Sequence, residues 1–258
     1  MGYWQDRMAN AQTKISNKSV RAIETQMRRY YASTMKKVIG EFEATLDKLI
    51  ATTEAGKEPT PADLYKLDKY WTLQAQAREE LEKLGARQVA LLSRQFELQW
   101  FEVYHSISLP GSPSFNTMDR KAVQQLISQI WCADGKSWSQ RIWQNNQALL
   151  ETLNEGLIHI VASGKKNREL KQLLQERFNV SYSRADALVR TETAHIQTQA
   201  ARKRYEDYGV EMVQVWADPD ERRCEVCGEL HKKKYPVGSA LPIPAHPRCR
   251  CCIVPVVE

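Results

Sequence analysis

From about residue 5 to residue 54 the chain has no proline, and Gly40 is the only glycine in that stretch. With so few breakers and turn formers, nothing there forces the backbone to reverse. No run of about 18 apolar residues occurs anywhere, which excludes a membrane-spanning helix. The opening Met1-Gly-Tyr-Trp-Gln-Asp-Arg7 lacks the apolar core of a signal peptide, so a reducing, cytosolic setting is expected. Cysteine is scarce: before the last 35 residues there is only Cys132. Common catalytic signatures are missing as well. Gly135-Lys136-Ser137 imitates the end of a phosphate-binding loop, but Ile130 stands where the first glycine is required. There is no G-x-S-x-G elbow and no H-E-x-x-H pair. Internal repeats and low-complexity tracts are absent too. These gaps lead to the expectation that the protein is not an enzyme.

What the chain does have is helical periodicity. Apolar residues make up 42% of its 258 residues and charged residues 26%, with a net charge of +6. That is enough apolar matter for a core, with a mildly basic surface compatible with a polyanionic partner. Met8, Ala11, Ile15, Val20, Ile23, Met27, Tyr30, Val38, Phe42, Leu46 and Leu49 recur mostly at gaps of three or four. That is one face of a helix over about 5–54, roughly 75 Å long at 1.5 Å per residue. Gly56 and Pro59-Thr60-Pro61 end it, and Thr60 followed by Pro61 reads as a helix cap with proline at the first helical position. A second helix is expected over 62–107, stopped by Leu109-Pro-Gly-Ser-Pro113. Further helices are expected over 118–130, 138–162, 167–178 and 182–208, the last closed by Gly209. A strand over Val210–Trp216 and the apolar ending Ile253–Val257 follow. The fold class read from this is mainly α. It has three parts: a long N-terminal helical hairpin (1–113), a helical middle domain (114–209) and a small C-terminal β/zinc-knuckle module (210–258).

Five of the six cysteines fall within 29 residues, as Cys224-x2-Cys227 and His246-x2-Cys249-x-Cys251-Cys252. Zinc takes four thiolate or imidazole ligands in a tetrahedron, and two close pairs on separate turns supply them. Cys224, Cys227 and His246 are the first three candidates, with Cys249 or Cys251 as the fourth. Cys252 is a weaker rival, because alternation turns it away from its neighbours. No polar catalytic group stands at a recognisable spacing, so a closed structural site is expected. Arg222, Arg223, Lys232, Lys233, Lys234, Arg248 and Arg250 surround the cluster in sequence. They could contact nucleic-acid phosphates or form a solvated basic face.

Other groupings have plainer readings. Glu192 and His195 share a helix face and could form a proton-transfer or metal pair, but a buried Arg–Glu pair or an exposed polar face is the stronger reading. Trp131, Trp138 and Trp143 with Arg141 could anchor a partner, although core packing explains them more simply. In Arg28-Arg29-Tyr30-Tyr31, Tyr30 continues the apolar stripe and reads as packing.

Taken in order, Arg190-Thr-Glu192, Tyr205, Gly209, Trp216, Asp220-x2-Arg223-Cys224-x2-Cys227 and His246-Pro-x-Cys249-Arg-Cys251 followed by Pro255 resemble the Mu protein F-like family of phage minor head proteins. Tyr3-Trp4-x2-Arg7 and Trp138-Ser-Gln-Arg141-Ile-Trp143 are similar to family members more loosely. The resemblance implies a virion protein of head morphogenesis in the capsid interior near the portal vertex, made in the host cytoplasm. Its implied partners are the portal protein, capsid or scaffold proteins and packaged double-stranded DNA, with a part in DNA ejection. It implies no common enzymatic activity. Some relatives carry the module fused to toxin domains; ending at Glu258, this chain is expected to carry none. The runner-up reading is a zinc-dependent nucleic-acid-binding regulatory module.

Overall fold

The computed structural model describes residues 3–53, 57–109, 118–217 and 223–256. Gly56, the terminator at 110–113, Asp220, Arg222 and Val257 lie outside the described residues. Among the described residues, seven helices and three strands run in the order α1 (Tyr3–Thr52), α2 (Pro61–Lys66), α3 (Asp68–Ser106), α4 (Arg120–Ser128), α5 (Trp138–Ala162), α6 (Asn167–Asp207), β1 (Met212–Trp216), α7 (Glu225–Leu230), β2 (Lys234–Pro236) and β3 (Cys252–Pro255). The fold is mainly α with a small C-terminal antiparallel sheet, as the sequence implies.

Local chemistry explains several boundaries. Thr60 caps α2 with a reciprocal capping box: its hydroxyl accepts from the Asp63 amide, and the Asp63 carboxylate accepts from the Thr60 amide. Leu67 is extended (φ −75°, ψ 120°) and separates α2 from α3, where the sequence suggested one helix. Gly209, at φ +70°, ends α6 in a left-handed cap, with the Val210 amide donating to the Tyr205 carbonyl at 3.0 Å. The expected break at 179–181 is absent, and α6 runs unbroken from Asn167 to Asp207. Asn179 and Ser181 favour turns in isolation. Tertiary contacts override that preference, because the Ser181 carbonyl and hydroxyl both accept from Asn145 at 2.9 Å.

The described residues group into two compact units, one from residues up to 24, 91–138 and 186 onward, the other from 25–90 and 139–185. These units cut across the divisions 1–113, 114–209 and 210–258, because α1, α3 and α6 each contribute residues to both.

In the unit that carries the C-terminus, Val20, Ile23, Phe96, Trp100, Val103, Tyr104, Val189 and Tyr205 are buried. Trp138 meets Phe96 edge-on at 5.5 Å and donates to the Ile127 carbonyl at 3.1 Å. The sheet order is β2-β1-β3, with both pairs antiparallel. Gln12 of α1 reaches it, donating to the Ile253 carbonyl at 2.9 Å.

In the other unit, Met27, Val38, Phe42, Leu46, Leu49, Leu73, Leu81, Leu84, Leu149, Leu153, Leu157 and Phe178 form the apolar interior. A polar knot sits among them. The Tyr31 hydroxyl receives Gln88 and Asn145 amide donors, both at 3.3 Å, and Asn146 donates to Gln88 Oε1 at 2.8 Å. Gly85 lets Trp143 lie against α3: a Cβ there would meet the indole at 2.4 Å.

Two packing expectations are corrected here. Trp143 is not a core residue, being 42% exposed on the outer side of that contact. Tyr31 rather than Tyr30 enters the interior, while Tyr30 carries the Arg87 guanidinium over its ring at 5.7 Å. Elsewhere on α3, Trp71 is 62% exposed.

Candidate metal centre

The first ligand turn is built by α7. Cys224 is its N-cap (φ −75°, ψ 164°), and its sulfur accepts from the Cys227 amide at 3.4 Å. The Gly228 amide closes on the Cys224 carbonyl at 2.9 Å. This turn directs both sulfurs to one side. The Cys227 amide also favours the Cys224 thiolate, lowering that thiol's pKa. Burial acts the other way on Cys227, pushing its thiol up to about 12.

The second turn is His246-Pro247-Arg248-Cys249. The Cys249 amide donates to the His246 carbonyl at 3.2 Å. Pro247 stands at the second position, and Arg248 at the third has φ +63°. Proline followed by a left-handed residue is the requirement of a type II turn. His246 Nδ1 lies 2.8 Å from the Pro247 carbonyl and donates to it. This leaves the Nε2 lone pair for the sulfurs, 3.2 Å from Cys224 Sγ and 3.0 Å from Cys227 Sγ. Fixing the far ring nitrogen in this way is how a histidine ligand is oriented. The same carbonyl is the first cause of the raised His246 pKa.

Cys249 and Cys251 complete the cluster. Donor atoms of Cys224, Cys227 and His246 lie within 4.8 Å of one another, as do those of Cys227, Cys249 and Cys251. Cys227 Sγ is 3.9 Å from Cys249 Sγ. Ligands bound tetrahedrally at 2.0–2.3 Å sit roughly 3.3–3.8 Å apart; the donors stand within a few tenths of an ångström of that range, and their types suit a soft or borderline metal ion. A hydrogen bond from Cys251 holds the Cys249 pKa down to about 5, and the same bond raises that of Cys251. Cys252 is outside the cluster, buried in β3 against Ala9 and Val254.

Helix α6 backs the second turn. The Arg248 amide donates to Thr191 Oγ1 at 3.0 Å, and its guanidinium reaches the Asp186 carboxylate at 3.2 Å. Asp186 also accepts from Arg190 Nε, and Arg190 extends to Glu24 of α1. Glu192, 2% exposed, accepts from Trp131 Nε1 at 3.0 Å. His195 is buried under the same indole. The Glu192–His195 pair is thus packed, and Trp131 is part of that packing. Thr191 and Asp186 are contacts that the sequence did not single out. They stand 57 and 62 residues from Arg248, and no local pattern links them.

Of the basic residues, Arg223, Arg248 and Arg250 line a cleft of about 30 Å³ together with Cys224, Cys227, His246 and Cys251. Lys232, Lys233 and Lys234 are exposed but do not line that cleft. Lys232 lies over the Trp216 ring at 5.7 Å, and Lys234 is on the edge strand β2. Arg222 lies outside the described residues.

Comparison with known proteins adds a family. Residues 151–254 match the family described as Phage Mu protein F like protein. That span takes in α6 and both ligand turns. A curated relative, the NAD(+)--arginine ADP-ribosyltransferase EFV of Enterococcus faecalis, is 26% identical over 142 residues. The match covers 48% of this chain and 29% of that protein, so the chain spans under a third of the relative's length. No solved structure shows significant similarity. Over residues 151–254, then, the chain is similar to the family described as Phage Mu protein F like protein.

Proposed function

We propose that the chain is a phage minor head protein acting in head morphogenesis. In this reading it associates with the portal protein and with capsid or scaffold proteins during assembly. It resides in the virion interior near the portal vertex and influences packaged DNA and its ejection. The observation that carries this is the family match over 151–254. The engagement of Glu192 and His195 in packing against Trp131 supports a non-enzymatic role. The transferase activity in the relative's name belongs to that protein, and we read the partial overlap as a shared module. No described helix is long and apolar enough to cross a membrane.

The same reading gives the C-terminal cluster a structural Zn²⁺. Cys224, Cys227 and His246 would hold it with Cys249 or Cys251. The ion would supply folding free energy to a segment too small to bury a core of its own.

Co-expression with the portal protein followed by pull-down tests the assembly role. A complex is expected. Absence of a complex, with normal particles forming when the gene is deleted, would overturn it.

A second reading is nucleic-acid contact through the cleft arginines Arg223, Arg248 and Arg250. Phosphate contacts release counterions, so duplex affinity is expected to fall steeply between low and moderate salt. A flat salt response would remove this reading.

A further inference from the structure

Arg248 occupies a backbone conformation that favours glycine, at φ +63°. A bulky residue persists there only when its surroundings hold it. Two contacts do so. Thr191 Oγ1 donates its own proton to the Ala187 carbonyl at 2.7 Å, which leaves its lone pairs for the Arg248 amide at 3.0 Å. Asp186 accepts the Arg248 guanidinium at 3.2 Å while bound to Arg190 one helical turn along. The two ligand turns are therefore built differently. The Cys224–Cys227 turn closes on itself through the cap of α7. The His246–Cys249 turn has its own closing bond, from the Cys249 amide to the His246 carbonyl, and is in addition fastened from outside by α6.

We infer that Thr191 and Asp186 of α6 are positioning residues for the metal centre, clamping the His246–Cys249 turn so that its donors face Cys224 and Cys227. This gives the Arg190-Thr191-Glu192 stretch a task in ligand presentation: Thr191 seats the turn, and Arg190 orients Asp186. The inference rests on the metal reading proposed above. Partners that orient first ligands typically change metal affinity by about 10–100-fold when removed.

The test is competition for Zn²⁺ against a chromophoric chelator, with full-length reduced protein. Thr191→Val keeps the shape but cannot accept the amide, whereas Thr191→Ser keeps the hydroxyl. Thr191→Val is expected to weaken Zn²⁺ binding by roughly tenfold or more, with helical circular dichroism unchanged and Thr191→Ser close to wild type. Asp186→Asn, which removes the charge facing Arg248, is expected to weaken binding as well. Wild-type affinity in both Thr191→Val and Asp186→Asn would overturn the clamp and leave the metal centre standing. A wild-type protein that takes up no Zn²⁺ would instead overturn the metal reading, and the clamp with it.

Discussion

The indole of Trp131 lies flat on the imidazole of His195, with ring centroids 4.2 Å apart and planes within 7°. The contact joins the segment between α4 and α5 to α6, and Trp131 Nε1 also secures Glu192. Burial lowers the His195 pKa to about 4, so the ring stacks in its neutral form. An unfolded histidine takes up its proton near pH 6.5. As pH falls from 6.5 towards 4, the unfolded chain binds a proton that the folded chain refuses. Stability is therefore present above pH 6.5 and lost on the way down, by up to about 3 kcal/mol. Urea unfolding of metal-stripped wild type and His195→Phe at pH 7 and pH 4.5 measures this. The variant, which keeps an aromatic face on Trp131, is expected to lose less stability on acidification. Equal losses would show that His195 does not carry the effect.

Tyr31 is expected to matter through its hydroxyl more than its ring. That oxygen receives Gln88 and Asn145 and lies 3.2 Å from the Ser181 hydroxyl. Tyr31→Phe leaves a buried Gln88 donor without this partner, which costs about 1–2 kcal/mol. The midpoint of chemical denaturation should drop accordingly with the slope unchanged. An unchanged midpoint would mean that the donors find other partners.

Cys227 sits in both donor groups of the metal cluster. Cys227→Ser is expected to abolish tight metal binding and loosen the described residues 223–256, because in this reading the metal is what ties the two ligand turns together. Hydrogen exchange should show lost protection there, while α1, α3, α5 and the body of α6 keep theirs. Collapse of the whole helical signal would show that the module and the helices do not unfold separately.

Legibility from sequence followed the range of the physics. Helix α5 was read at 138–162 and matches its observed limits, because Ile142, Leu149, Leu153, Leu157 and Ile160 keep one period throughout. The cap at Thr60 and the stop at Gly209 were legible for the same local reason. The continuity of α6 through Ser181 was not, since it depends on Asn145 of another helix. Buried Gln12, Gln88, Gln99 and Asn146 were also invisible. They interrupt the apolar stripe, and their partners lie far along the chain. The grouping of Cys224, Cys227, His246, Cys249 and Cys251 into a candidate donor set was readable from spacing, whereas the Thr191 and Asp186 contacts lie on another element. Trp143 shows the converse limit: its place in the tryptophan cluster with Trp131 and Trp138 did not fix its burial.

The central claim is that the C-terminal turns form a metal centre seated on α6. Elemental analysis of purified protein, kept reduced and away from chelators, tests it most directly. The expected result is about one zinc per chain, the complement of a single four-ligand site. Zinc below roughly a tenth of an equivalent, with no other soft metal in its place, would contradict it.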